Sequence, residues 1–229
     1  MQSSRPSIGI IGAGPIGRGV CVLLHRAGYR VTVGTQRPDA ARRHGLPAAV
    51  AIGTAQQAAD AEVVIVAVRH PALPALMAML RGRLAGKVVI DTCSAWILRD
   101  YLAAGLSDEL TEGCWLARQI PEARVSRAFS HIDYEVLVSR PTEQPGHWAA
   151  AYAADDPIAG KITARLLTDV GYVPVRVGAL AESAALDVGG VLWPYMFTPD
   201  DMVAILAGPD TEPESHTHAM AGPVPHIES

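Results

Sequence analysis

Aromatic residues are scarce: two Phe, four Trp and six Tyr, 5% of 229 residues. The core must therefore rest on Ala, Val, Leu and Ile. Cysteine is rarer still. Cys21, Cys93 and Cys114 are too few and too scattered for a disulfide framework or a zinc site. An odd count without a C-x-x-C pair favours a reducing compartment. Nor is there an excess of basic charge: 19 Lys and Arg face 23 Asp and Glu, for a formal net charge of −4 and a sequence pI of about 6.0. Nucleic acids and anionic membranes are bound by a concentrated basic face, so neither is expected as a partner. No apolar run reaches the roughly 18 residues of a membrane span. The polar Met1–Ser7 stretch runs straight into a strand pattern and is no signal peptide. The chain reads as soluble and cytoplasmic. Charged residues are only 18% and hydrophobic ones 49%, which excludes wholesale disorder.

What is present is an alternation of strand and helix patterns. Ser7–Ile11 is a short β-branched strand, followed by Gly12-Ala13-Gly14-Pro15-Ile16-Gly17. A helix over Pro15–Ala27 carries Ile16, Val20, Leu23, Leu24 and Ala27 on one face. Pro15 suits its first turn and Gly28 its left-handed end. Tyr29–Val33 completes a β-α-β unit. Further strands are expected at Ala48–Ile52, Val63–Val68, Val88–Asp91, Ala123–Phe129, Tyr134–Val138, Trp148–Ala154 and Tyr172–Val177. Helices are expected from Thr54 to Ala61, along Leu73, Leu76, Met77 and Leu80, over Glu109–Ile120 and over Pro157–Val170. Such alternation implies an α/β fold with a doubly wound, mostly parallel Rossmann-type sheet. Residues 1–207 form one domain with its own substrate cleft. Leu180–Ala207 supplies a short helical extension interrupted by Pro194 and Pro199, and residues 208–229 read as a disordered tail. The histidines of that polar tail, His216, His218 and His226, suggest a surface segment rather than a metal site.

G-x-G-x-x-G alone is a weak signal, but here it ends a strand and opens a helix inside a β-α-β unit of the right length. Gly12 permits the tight turn, Gly14 lets the backbone approach a pyrophosphate, and Gly17 lets helix and strand pack closely. Ala13, Pro15 and Ile16 belong to the same phosphate turn, at a helix N-terminus that favours anions. NAD sites place an Asp or Glu about 20 residues on. Here the end of the second strand reads Gly34-Thr35-Gln36-Arg37, with no carboxylate to repel a 2′-phosphate. Thr35 and Gln36 offer hydrogen bonds and Arg37 a charge. The expected cofactor is therefore NADP(H), with Arg42 and Arg43 close behind.

In open α/β sheets the second ligand lies outside the carboxyl ends of the strands. That brings Val68-Arg69-His70, Thr92-Cys93-Ser94 and Phe129-Ser130-His131 beside the nicotinamide. Val68, Arg69 and Thr92 are expected to contact the cofactor. His131 is the candidate proton donor or ligand contact. His70 equally suits a helix start, and Cys93 equally suits a small buried hydrophobe. No room remains for a large helical substrate domain, and a shallow cleft suits a flat partner lying on the nicotinamide.

The segments IGIIGAGPIGRGVCVLLHRAGYRVTVGTQR, VVIVAVRHPAL, KVVIDT, RVSRAFSHI and AADDPIAGKITARLLTDVGYVPVRVGALAESAAL resemble the NADPH-dependent reductases of coenzyme F-420, the 8-hydroxy-5-deazaflavin:NADP oxidoreductases. The resemblance spans roughly residues 7–190. It implies a Rossmann-like domain, usually dimeric, that passes hydride between NADPH and the deazaflavin ring with no metal. Gly12, Gly14 and Gly17 match the family's phosphate turn. Thr35, Gln36 and Arg37 match its Ser-Arg-Arg type run, one charge short at Gln36. The chain departs from the family pattern at Arg69-His70, Thr92-Cys93-Ser94 and Ser130-His131.

A deazaflavin:NADP oxidoreductase and a diverged NADPH-dependent reductase of an imine, enone or dehydro-amino acid are therefore both open. The latter would use His131 or Tyr134 to deliver a proton. A non-catalytic NADP(H) sensor is the third reading. The expected partners are a small-molecule co-substrate and a second copy of the chain.

Overall fold

Apolar β-branched runs only four residues long, such as Val63-Val64-Ile65-Val66, are fully buried on both faces, as strands in the middle of a parallel sheet require. A computed structural model of the chain describes residues 5–95 and 110–208. Within them the strands are β1 (Ile8–Ile11), β2 (Val31–Gly34), β3 (Ala51–Gly53), β4 (Val63–Val66), β5 (Val88–Asp91), β6 (Arg124–Ala128), β7 (Ala149–Ala154) and β8 (Val173–Gly178). They form one sheet of order β3-β2-β1-β4-β5-β6-β7-β8. All neighbours run parallel except β6 and β7, which pair antiparallel. The order reverses between β1 and β4, so the switch-point crevice opens at their carboxyl ends.

The helices are α1 (Pro15–Arg26), α2 (Pro38–Arg43), α3 (Ala55–Ala59), α4 (Leu73–Leu84), α5 (Glu112–Gln119), α6 (Tyr134–Glu143), α7 (Pro157–Asp169) and α8 (Pro199–Ala207). Val20, Leu23 and Leu24 of α1, Leu137 of α6, and Leu166 and Leu167 of α7 pack on one face of the sheet, against Ile10, Val33, Ile65 and Ile90. Leu73, Met77 and Leu80 of α4, with Trp115 and Leu116 of α5, cover the other face against Val64, Val66 and Val89. The alternation of strands and helices thus gives the doubly wound architecture expected from it. Thr54 starts α3 with a capping box, its hydroxyl accepting from the Gln57 N–H while the Gln57 side chain accepts from the Thr54 N–H.

Two elements differ from the sequence pattern. Tyr134–Val138, expected as a strand, is the first half of α6. Asp133 caps it by accepting from the Glu135 N–H at 2.8 Å, and the buried positions are Leu137 and Pro141, four apart, which is a helical spacing. Pro141 has no N–H to give the Leu137 carbonyl. The Tyr172 hydroxyl donates to that carbonyl instead, at 2.8 Å. The second difference is α2 (Pro38–Arg43), a short helix that the sequence pattern does not announce. Leu180–Ala207 keeps the helical character expected of it. It holds a 3-10 segment, Leu180–Leu186, and then α8, which packs through Met202 on the Ala149 and Ala151 side of β7. The expected tail beyond Gly208, its histidines included, and the first residue of the expected Glu109 helix lie outside the described residues.

Among the described residues no helix is long and apolar enough to cross a membrane.

Candidate functional site

β1 delivers the chain into the switch-point crevice at Gly12, whose φ of +109° only glycine adopts readily. A Cβ there would meet the Ala67 carbonyl oxygen at 2.1 Å. A Cβ at Gly17 would meet the Gly12 carbonyl oxygen at 2.1 Å, so helix and strand approach as closely as the turn requires. Gly14 is different. It is the N-cap of α1 and a Cβ there would meet nothing within 4 Å. Its missing side chain leaves a cradle over the first turn of a twelve-residue helix with no acidic residue at its start. That cradle fits a phosphate, held by backbone N–H groups and the positive end of the helix.

A cavity of about 330 Å³ opens between this turn and α2. Ala13 and Gly14 form one wall; Thr35, Arg37 and Ala40 form the other. Arg18 from α1 and His44 from the end of α2 complete it. No carboxylate lines it. Thr35 turns the chain into α2, its Oγ1 accepting from the Arg37 N–H at 3.1 Å. Gln36 is exposed and outside this wall. Arg42 is engaged elsewhere, donating to the carbonyls of Pro47 and Val50. The structure thus gathers Ala13, Gly14, Thr35 and Arg37 at one cavity, and adds Arg18 and His44, which local spacing in the sequence does not reveal. The donor set suits a dianionic phosphate monoester beside a dinucleotide turn.

At the carboxyl ends of β4 and β5, Val68 is half-buried and Arg69 exposed. Thr92 is buried, its hydroxyl donating to the Val66 carbonyl at 2.9 Å, so it ties two strands together. Cys93 is buried, its thiol donating to the same carbonyl, and burial pushes its pKa well above the usual thiol range. It is a core residue, not a nucleophile. His70 is buried against Trp115, ring centroids 5.0 Å apart.

His131, expected as the proton donor, is 0% exposed. Burial, with the Arg127 charge nearby, lowers its pKa to about 3, so the ring is neutral at working pH. The Ala151 N–H points at its Nε2 at 3.4 Å. A neutral ring sealed from solvent does not fit a proton donor to a bound substrate, and the assignment of His131 is corrected to a core histidine. The other candidate, Tyr134, is half exposed at the start of α6, its hydroxyl 3.3 Å from the adjacent Glu135 carboxylate.

Behind the β5 exit lies a feature the sequence did not suggest. Arg127, 0% exposed, sits opposite Asp91 in the β5–β6 register. Its Nη1 donates to Asp91 at 2.7 Å and to the Cys93 carbonyl at 2.9 Å. Its Nη2 donates to Glu112 at 3.1 Å and lies 2.8 Å from Asp187, an ion pair without hydrogen-bond angles. Three carboxylates thus face one guanidinium. Burial raises Glu112 to about 7, against the opposing pull of Arg127 and with Asp187 adding to the rise. Asp91 is raised too, burial again dominating. The cluster fastens the β5 exit, the start of α5 and the end of the 3-10 segment to one side chain.

Residues 7–95 match the family model described as NADP oxidoreductase, coenzyme F420-dependent. That segment of the chain resembles the family. Comparison with curated proteins gives no match. Among similar solved structures is a protein of Arthrobacter sp. FB24, described as a putative F420-dependent NADP-reductase. It shares 24% identity over 78% of this chain and 87% of its own, with a TM-score of 0.64. A protein of unassigned function from Sinorhizobium meliloti, SMa0349, shares 23% identity over 85% of this chain and 96% of its own, at a TM-score of 0.74. An imine reductase of Bacillus cereus shares 20% identity over 78% of this chain but only 56% of its own, at 0.55. These likenesses establish the Rossmann-type fold. Among the described residues no group of His, Cys, Asp and Glu is placed to hold a metal ion.

Proposed function

We propose that this chain is an NADP-dependent oxidoreductase passing hydride between NADPH and an 8-hydroxy-5-deazaflavin coenzyme. The observation that carries the NADP half is the carboxylate-free cavity beside the Gly12–Gly17 turn, lined by Thr35 and Arg37. Ala13 and Gly14 would hold the pyrophosphate, and Thr35 and Arg37 the 2′-phosphate. The match of residues 7–95 to a family of NADP oxidoreductases supports the same reading.

Bound NADPH supplies the hydride. What the chain then has to provide is orientation, because hydride passing directly between two stacked rings needs little acid–base help. The carboxyl ends of β4, β5 and β6 suit that demand. Thr92 and Cys93 are locked to the Val66 carbonyl and present a fixed floor rather than mobile donors. His131 is neutral and buried. A reductase of imines or enones has to protonate its substrate as well; with His131 buried, that role would fall to the exposed Tyr134 alone.

The test mixes purified protein with NADPH and the oxidised deazaflavin coenzyme and follows the deazaflavin's visible band, with NADH in parallel. Bleaching with NADPH and not with NADH is expected. NADPH binding without any bleaching would overturn the deazaflavin assignment and turn attention to an acceptor that meets Arg69 at the rim.

A further inference from the structure

We infer that Arg18 and His44 are specificity-determining residues for the 2′-phosphate, supplying from α1 and from the end of α2 the charge and donors that Gln36 does not. This rests on the NADP reading above.

Gln36 is where a second cation would be expected next to Arg37, and it is exposed and off the cavity wall. The cavity nevertheless meets three basic side chains, because the fold brings them from three places. Arg37 is the residue from which α2 starts. His44 is the residue at which it stops, its N–H donating to the Ala40 carbonyl at 3.0 Å. Arg18 stands in the first turn of α1, across the gap.

Arg18 is half-buried and its Nη1 donates to the Ala13 carbonyl at 2.8 Å. One arm of the guanidinium is therefore fixed to the phosphate turn itself. A guanidinium carries five N–H donors in a rigid plane, so anchoring one leaves a pre-oriented fork for an anion in the same cavity. A lysine would not combine the two roles. His44 is held from the other side. Arg42 clamps the Pro47 and Val50 carbonyls and so folds the loop after His44 back onto α2. That engagement also explains why Arg42, nearer in sequence to the expected run, is not a reader. The ligand chemistry implied is a phosphate monoester on a ribose, bound within reach of the pyrophosphate turn.

The experiment measures dissociation constants of NADPH and NADH for the full chain and for R18Q, R18K and H44N, with folding checked by thermal melts. R18Q should weaken NADPH about tenfold or more, as loss of a charged hydrogen-bond partner does, while weakening NADH several-fold less. R18K should recover part of the preference but not all, and H44N should weaken NADPH alone. Wild-type chain that prefers NADPH, with R18Q and H44N lowering both cofactors by the same factor or neither, would overturn this inference and leave the NADP reading intact. Either residue behaving that way alone removes its own assignment. Wild-type chain with no preference for NADPH would overturn the reading itself. H44N carries the test if R18Q fails to fold, since the His44 side chain is exposed and takes no part in the core.

Discussion

The buried ionisable groups predict a stability plateau in pH that two single substitutions should tilt in opposite directions. Glu112 is raised from 4.5 to about 7 in the folded chain. At about 1.4 kcal/mol per pH unit, that corresponds to about 3 kcal/mol. The folded chain holds a proton that the unfolded chain releases, so this stability is fully present below pH 4.5 and is lost as pH rises to about 7. Glu112 is 2% exposed, so solvent screening does not reduce the figure much. His131 works the other way. Its pKa falls from 6.5 to about 3, so its contribution is complete above 6.5. It is lost as pH falls to about 3, in total about 5 kcal/mol. Between pH 4.5 and 6.5 the two slopes cancel. The assay is urea unfolding from pH 4 to 8 of wild type, E112Q and H131Q. E112Q should become more stable with rising pH through that window, by about 3 kcal/mol relative to wild type by pH 7. H131Q should become less stable across the same window. Both substitutions add fixed offsets from altered hydrogen bonds, so the change with pH is the readout. A wild-type-minus-E112Q difference that stays flat from pH 4.5 to 7 would refute the argument that Glu112 carries a proton in the fold.

Further outcomes follow from single contacts. Gly14→Ala adds a Cβ with nothing within 4 Å of it, at an extended φ of −67° that alanine accepts. Stability should stay within about 0.5 kcal/mol of wild type, while NADPH affinity measured by fluorescence titration falls about tenfold or more; unchanged affinity would remove the phosphate from this turn. Gly12→Ala, facing the Ala67 carbonyl at 2.1 Å and φ +109°, should instead cost about 1–3 kcal/mol or more in urea unfolding. Arg127→Met strands Asp91, Glu112 and Asp187 without their shared cation, and should cost about 3–5 kcal/mol at pH 7. Tyr172→Phe leaves the Leu137 carbonyl unmet and should cost about 1–3 kcal/mol. Pro141→Ala offers that carbonyl a helical N–H again, so the Tyr172→Phe penalty should shrink in the Pro141→Ala background, as a double-mutant cycle would show.

The dinucleotide half was legible because its determinants are local. Gly12, Gly14 and Gly17 act within one turn, and Thr35 and Arg37 follow directly from the strand that presents them. The α6 region was misread because Tyr134-Glu135-Val136-Leu137-Val138 is a strand-length run rich in aromatic and β-branched residues, and only Leu137 and Pro141 together reveal the helical face. The remaining gaps are long-range. Arg18 and His44 stand 26 positions apart and meet only because α1 and α2 flank one crevice. Arg127 falls inside the strand expected over Ala123–Phe129, and its own neighbours assign it no role. Its meaning depends on the parallel register that sets it beside Asp91, and on α5 and the 3-10 segment bringing Glu112 and Asp187.

These two kinds of determinant divide the labour of the fold. The turn and α2 keep their basic side chains at or near the surface: Arg37 and His44 are exposed and Arg18 is half-buried. The strand ends toward β6 do the opposite. Asp91, Glu112, Arg127 and His131 are sealed, and the Arg127 guanidinium is spent on binding Asp91 and Glu112 and so fixing the backbone, while His131 is a neutral core ring. Strand ends whose His131 is buried and neutral, and whose buried acids are tied to one arginine, are better suited to positioning two rings than to proton transfer from those groups. That contrast is the physical reason for favouring a hydride-only exchange over a reduction that also needs an acid.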